Sequence, residues 1–396
     1  MKCLCIIILS LVFFSCSSKT SYLNEEVNSY CYADFSDITY SNEPQCLSEF
    51  SDSISYILLD EEPLLDGIDS QTRIWIDKFI YIDIGDNVYK YTLDGKFVQK
   101  LFSIGQGPQE ITQKLGSAIF NFENEYITIR DYGSNKYSHY SLCGDFVGNS
   151  QQYYGDNNQT KRIVGYNGDE EFYYWDYVIP SKGASLNIDG PHHLYVRNTI
   201  QDSIVNTIAN YNYNIQPSYK GGIAINDNWP IMLGTLDSII WAKPANVDTI
   251  YRMVNHIFEP WYIIQMKSSA ANYSFRVNAS LGHAGAVKED IKYVLPLKNG
   301  LLYSYNGIEK GQEHGYGFCP LNGKAIRYSK HSFKNDLDND LPYLKFNRLD
   351  YCYVKDSFLY VLVEASCFFE NEGNPPFPQL MEDSNPIVVK LKLKSG

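Results

Sequence analysis

The sequence predicts an all-β protein, a six-bladed β-propeller of four-stranded antiparallel blades, and three observations carry that expectation. The chain is 44% hydrophobic and holds 34 Tyr and 20 Phe, ring side chains that pack well on a half-buried pleated surface. Residues 73–110 spell a complete strand-turn-strand unit: Ile74 and Ile76, then Phe79 and Tyr81, alternate with polar positions on either side of Asp77-Lys78, as strands with one buried face do. The same grammar returns at a period of about fifty residues, within the range of propeller blades. No segment offers an amphipathic helix period of useful length.

Taken in order, the chain opens on a processing signal in residues 1–16. Lys2 supplies the positive start, the apolar run 4–14 is too short to span a bilayer as a permanent helix, and Phe13-Phe14-Ser15 sets a small residue before Cys16. This ending resembles a bacterial lipobox, which implies that Cys16 becomes the lipidated N-terminus of a lipoprotein. An ordinary secretory peptide cut nearby is the alternative. Ser17 is not the acidic residue associated with inner-membrane retention, so the signal resembles those directed to the outer membrane. Residues 17–50 are polar, without a sustained period, and read as a tether. The folded propeller is expected over 51–396, with the strand candidate SISYILLD at 53–60 placed to join the last blade and close the ring.

Within the first unit, Asp94-Gly95 supplies the positive φ of a tight hairpin turn, and Phe97, Val98 and Leu101 resume the alternation. The turn recurs when YTLDGKFV at 91–98 is laid on YSLCGDFV at 140–147, and a third copy is LNGKAI at 321–326. Between these copies, stretches 162–208, 221–266 and 291–328 each offer about four strands, and 346–394 offers three around the proline-bearing loop 366–386. The count comes to about six units.

Several of these motifs act together. Asp94-Gly95-Lys96-Phe97 followed by Gly105-Gln106-Gly107-Pro108-Gln109-Glu110, then Asp248-Thr249-Ile250-Tyr251-Arg252 and Asn385-Pro386-Ile387-Val388-Val389, resemble the six-bladed β-propeller lipoproteins of Gram-negative gut bacteria. That family is similar in fold to NHL-type propellers, and its members mostly lack an assigned activity. The resemblance covers roughly residue 51 to the end and implies architecture far more than function. The chain departs from it at Gln109, where the family commonly has glycine, and in an irregular third unit.

Composition also excludes. A net charge of -13 repels phosphate backbones, so nucleic acid is not an expected partner. Residues 105–110 lack the Lys-Ser/Thr ending and the strand-loop-helix setting of a nucleotide loop and read as a blade connection in which Glu110 accepts backbone donors. Asp336-Leu337-Asp338-Asn339-Asp340 begins like a calcium loop, but Leu341 stands where the loop needs glycine and Asn347 where it needs a bidentate glutamate. A solvated acidic turn is the plainer reading. Of nine cysteines, Cys31 with Cys46 and Cys352 with Cys367 are possible disulfides in an oxidising compartment, and none has the CxxC spacing of a zinc site. Four Asp-Ser/Thr-Ile triplets, at Asp52, Asp202, Asp237 and Asp248, resemble a bacterial O-glycosylation pattern, against the simpler reading that such residues start a strand from a turn.

The functional expectation is a non-catalytic binding or scaffold module that recognises a glycan or an envelope protein, tied to the membrane through its N-terminal lipid in the cell envelope, as a monomer without cofactor or metal. Most aromatic runs read as strand core, Trp75 and Trp241 among them, whereas Trp175 and Trp229 sit beside turn residues and are surface candidates. With them, His192, His193, Glu313 and His314 form the candidate ligand-binding set. The alternative is a propeller enzyme, a hydrolase, lyase or lactonase, with a divalent metal held in the central channel by histidines such as His283 and His331 and by carboxylates. No local pair of the seven histidines has the i, i+4 or HExxH form of zinc chemistry.

Overall fold

The structure, a computed structural model, describes residues 30–69, 71–151, 154–155, 159–177, 192–210, 231–244, 247–266, 290–306, 315–328, 332–346, 348–370, 375 and 377–395. The chain divides into Met1–Tyr30 and Cys31–Gly396, and all that follows belongs to the second unit. The signal, Cys16 and the first part of the expected tether lie outside the described residues.

The unit is all-β and arranged as a propeller. Strands β1 (Cys31–Ser41) and β2 (Ser51–Ile57) come first. Next, β3 (Arg73–Ile76), β4 (Ile80–Ile84), β5 (Asn87–Tyr91) and β6 (Phe97–Lys100) make an antiparallel meander. Its hairpin works as the sequence requires: Gly95 takes φ +90 at the turn, and a Cβ there would stand 2.0 Å from Leu58 O. The turn is copied in the second meander, β7 (Ile119–Asn121), β8 (Tyr126–Asp131), β9 (Lys136–Ser141) and β10 (Phe146–Gln151), with Gly144 at φ +87. In each copy a hydroxyl fastens the turn, Thr92 accepting Lys96 N at 3.0 Å and Ser141 accepting Asp145 N at 3.1 Å.

A short β11 (Tyr154–Gly155) then leads into β12 (Gln159–Asn167), β13 (Glu170–Tyr177), β14 (His192–Asn198) and β15 (Ser203–Ala209). A further meander holds β16 (Ile231–Leu236), β17 (Ile239–Pro244), β18 (Thr249–Val254) and β19 (Ile257–Met266). It is followed by β20 (Asp290–Leu297), β21 (Gly300–Asn306) and β22 (Gly315–Pro320), with β23 (Lys324–Tyr328) beyond the Asn322 turn. After the small hairpin β24 (Phe333–Lys334) and β25 (Tyr343–Leu344) come β26 (Tyr353–Lys355), β27 (Phe358–Val363) and β28 (Ile387–Leu393).

Two N-terminal strands seal edges. β2 pairs antiparallel with β28, from Ser51 opposite Leu393 to Ile57 opposite Val388, which is the expected closure of first against last. The tether expected through residue 50 instead becomes structure from Cys31: β1 runs parallel to β19 and to β23, covering the outer edge strands of two neighbouring meanders. Ala33, Phe35, Leu47 and Phe50 are buried there. The reason is edge protection, because β23 makes no ladder with β22 and each outer edge would otherwise present unpaired backbone groups. Gln45 completes the join, its amide accepting Phe318 N at 2.6 Å and donating to Phe318 O at 3.1 Å.

Apolar side chains fill the gaps between neighbouring meanders. Ile74, Ile82 and Tyr91 pack against Tyr360, Leu362 and Val388; Tyr81, Val88 and Leu101 against Phe120, Ile127 and Ile129; Phe172, Leu194 and Val196 against Ile231 and Ala242. The largest cluster, around Trp241, Tyr262, Tyr303 and Leu391, binds the later meanders together. Among the described residues no such cluster joins the β7–β10 meander to β12–β15. That seam is polar and aromatic: Lys161 and Glu171 are paired and buried, Arg197 Nη1 lies 3.6 Å from Glu171, and Tyr137 Oη donates to Lys161 O at 3.1 Å.

Candidate axial binding site

The innermost strands β3, β7, β12, β16, β20 and β26 face the axis and enclose a cavity of about 320 Å³. Alternation decides what they present. Ile74 and Ile76 are buried in the neighbouring core, which turns Arg73 and Trp75 to the other side of the strand. Trp75 packs at 4.6 Å on Phe120, which stacks at 5.1 Å on Phe122. Tyr166 and Tyr353 add two half-buried rings, and Asn121, Asn167, Glu123 and Asp237 place amides and carboxylates among them. Gly234 is required by close approach, since a Cβ there would meet the Trp241 indole at 2.5 Å. Trp241 lines the cavity at 1% exposure, and among the described residues its Nε1 finds no acceptor.

Where the innermost strands begin, a smaller cavity of about 80 Å³ continues the first and shares Arg73, Ile119, Val164 and Leu233 with it. Arg73, Arg130 and Arg162 line it with Tyr137 and Tyr174. The Arg73 guanidinium sits 4.1 Å from the centroid of the buried Tyr351 ring, and that of Arg348 sits 3.9 Å from it, so the ring is held between two cations. Behind Arg73, burial pushes the Asp83 carboxyl up against the pull of Lys114, whose Nζ lies 2.6 Å away, and Ala118 N donates to the same carboxyl at 2.6 Å.

Of the expected ligand set, the described members Trp175, His192 and His193 stand away from the axial cavity. Trp175 lies in the polar seam, edge-on to Tyr173 at 5.8 Å, and His192 stands edge-on to Tyr195 at 5.0 Å. His193 is buried, and burial, with His192 and Lys243 nearby, lowers its pKa to about 4. None of the three lines the axial cavity. Trp229, Glu313, His314, His283 and His331 lie outside the described residues. Two further histidines serve the scaffold. His139 bridges the Thr128 and Ser150 hydroxyls at 2.9 Å each, and His256 contacts Glu170 at 2.8 Å. Among the described residues no three His, Cys, Asp or Glu side chains are placed to hold a metal ion.

Other motifs resolve into structure. The 105–110 loop folds on itself, Glu110 accepting Gly107 N at 2.7 Å. The acidic turn is tied to protein donors: Asp336 takes Ser48 N at 3.0 Å, and Asp338 takes Tyr56 Oη at 2.9 Å and Asn335 Nδ2 at 2.6 Å. Neither expected disulfide forms. Cys31 is set into β1 opposite Tyr262, while Cys46 bridges to Lys334 elsewhere. The Cys352 thiol donates to Arg348 O at 3.5 Å, and burial raises the pKa of Cys367. Asp202 and Asp237 occupy positive-φ turns at strand starts, as the simpler reading of their triplets requires.

No family model and no curated protein matches this chain. Two solved structures share its fold. A protein described as exported, from Bacteroides fragilis, is 15% identical with a TM-score of 0.57, covering 92% of this chain and 99% of its own. A member of the DUF4221 family from Bacteroides vulgatus is 12% identical with a TM-score of 0.50, covering 89% of this chain and 98% of its own.

Sequence reasoning assigned Trp75 to the core and passed over Arg73, Arg130, Arg162, Arg348, Phe122 and Tyr166. One signal was present. Arg73, Arg162 and Arg348 each stand within or just before the first strand of their unit, so aligning the units on that strand would have brought them to one end.

Proposed function

We propose that this chain is a six-bladed propeller lipoprotein of the outer membrane that binds a glycan, without catalysis, in its axial cavity. The observation that carries this reading is the cavity wall: half-buried Trp75, Phe122, Tyr166 and Tyr353 interleaved with Asn121, Asn167, Glu123 and Asp237. Flat rings stack on the apolar faces of sugars while amides and carboxylates pair with hydroxyls, and the volume lies at the small end of ligand pockets. The Trp241 indole N–H adds a buried donor for which a sugar oxygen would serve as acceptor. Support for six blades comes from the six innermost strands that line one cavity.

The end where those strands begin is the favoured recognition face. Gly168-Asp169, Asp237-Ser238 and Asp356-Ser357 close the other end as tight two-residue turns, and the aromatic cavity continues toward this one. The envelope location is supported by the signal in residues 1–16 and by the fold neighbour described as exported.

Full-length protein in detergent, screened on an immobilised saccharide array and followed by calorimetry, tests the reading. Trp75→Ala is expected to weaken the selected saccharide at least about tenfold, the equivalent of ~1.4 kcal/mol. A blank array together with a stoichiometric divalent ion in the purified protein would replace this reading with the metalloenzyme alternative. For the anchor, Cys16→Ser is expected to abolish incorporation of labelled palmitate, and undiminished labelling would refute it.

A further inference from the structure

We infer that the end of the propeller opposite the favoured recognition face lies against a lipid bilayer, with the outer hairpins of the β12–β15 and β16–β19 meanders seated in its headgroup layer. The inference rests on the reading of Cys16 as a lipid anchor. Alternate hairpins of an antiparallel meander turn at the same end, so those joining the third strand to the outer one reach the end closed by Gly168-Asp169 and Asp237-Ser238. Apolar side chains are exposed there. Ile200, at 75% exposure, lies in the turn between β14 and β15, and Ile204 and Val205 follow it on β15. Val254 and Ile257, the latter at 62% exposure, flank the turn between β18 and β19. Asn206 Nδ2 donates to His256 O at 2.9 Å, which seats this second turn beside β15. Single exposed aliphatics are ordinary, but five on two adjoining hairpins make a patch of the kind that marks an interaction surface.

Two observations select lipid as the occupant. The first is where the chain enters the folded body. β1 starts opposite Tyr262 of β19, and Tyr32 is fixed to the turn between β22 and β23, its N donating to Asn322 Oδ1 and its O accepting Asn322 N, each at 3.0 Å. Tyr32 and Leu321 are exposed at this corner, so the segment leading from Cys16 joins the body at the same end as the patch and on the neighbouring hairpin. Segment 17–30 reaches at most roughly 50 Å when fully extended. Acyl chains on Cys16 therefore hold this end near a bilayer, and an apolar patch supplies the second attachment that fixes a pose. The second observation is charge. Ionic groups bordering the patch are paired with one another: Arg197 with Asp202 at 2.8 Å, Arg252 with Glu259 at 2.8 Å and His256 with Glu170 at 2.8 Å. Paired charges cost less to bring out of water than single ones, so the net charge of -13 does not oppose contact with a bilayer of neutral headgroups. In this pose the recognition face points away from the membrane.

Full-length protein reconstituted in phosphatidylcholine vesicles tests this by fluorescence quenching. Ile200→Trp and Ile257→Trp, after subtraction of the wild-type signal, are each expected to lose at least about half of the added emission when the acyl chains are brominated, as side chains seated ~5–10 Å into the headgroup boundary do. Tyr132→Trp, on the exposed turn between β8 and β9 at the opposite end, is the control expected to change nothing. Adding Ile204→Ser and Val205→Ser to Ile257→Trp is expected to cut its quenching at least about twofold, with melting reporting that each variant is folded. Equal quenching at both ends, or quenching of Tyr132→Trp alone, overturns the inference. A second copy of the chain is the other occupant: Ile257→Cys is expected to give no more disulfide-linked dimer than wild type when oxidised in the vesicles, and a dimer specific to it overturns lipid in favour of self-association. Palmitate labelling of the same preparation separates this inference from the reading beneath it. Labelled protein without end-selective quenching overturns the inference and leaves the anchor, whereas unlabelled protein overturns both.

Discussion

Replacing Glu171 by Gln removes the anion that Lys161 and Arg197 share in the polar seam between the β7–β10 meander and β12–β15. The side chains of Lys161 and Glu171 are 9% and 8% exposed, so water does little to screen them. At the 3.6 Å that separates Arg197 from Glu171, an effective dielectric of about 20 gives an attraction of roughly 5 kcal/mol before desolvation is counted. Gln takes from the buried Lys161 cation the carboxylate it is paired with, leaving a neutral amide beside it, with the face of Tyr173 at 4.4 Å. Breaking one partner of a buried pair costs about 3–5 kcal/mol. Spread over an unfolding entropy of roughly 0.8 kcal/mol/K for a body of this size, about 4 kcal/mol is a fall of ~5 °C in melting temperature. Scanning calorimetry of the wild type and Glu171→Gln reads it directly. Removing both charges with Lys161→Met and Glu171→Leu is expected to recover most of the loss, because Arg197 keeps Asp202 at 2.8 Å. A Glu171→Gln melting temperature within about 1 °C of wild type would refute the idea that charge, rather than apolar packing, holds this seam.

Two further outcomes follow from the scaffold. His193 has its pKa lowered from 6.5 to about 4, by burial first and then by His192 and Lys243. The unfolded chain therefore takes up a proton that the folded one refuses as pH falls from 6.5 towards 4, a loss of about 3 kcal/mol across that window and none above it. Urea denaturation at a series of pH values, comparing wild type with His193→Gln, is expected to show a shallower decline in the variant, and identical slopes would count against it. Gln45→Ala strips both backbone groups of Phe318 of their side-chain partner in a buried setting, and a cost of about 2–4 kcal/mol in chemical denaturation is expected. A neutral result would mean that β1 alone holds the N-terminal segment in place.

Much of this architecture was legible in the residues. Alternation at Ile74, Ile76 and Tyr81, the Asp94-Gly95 turn and its copy at Cys143-Gly144 fixed strand after strand, because side-chain direction and positive φ are local properties. The closing strand was legible as well, since SISYILLD had no partner nearby and needed one far away. Residues 31–50 were misread as tether because their order comes from two strand edges that belong to much later sequence, β19 and β23. The site was the least visible part. Trp75, Tyr166 and Tyr353 look like any alternating strand aromatics until several first strands converge, and the arginines look like scattered surface cations until one end of the axis collects them. Local chemistry sets which way each strand faces. Only closure of the sheets about an axis determines which of those faces meet, because residues hundreds of positions apart share a wall solely through that arrangement.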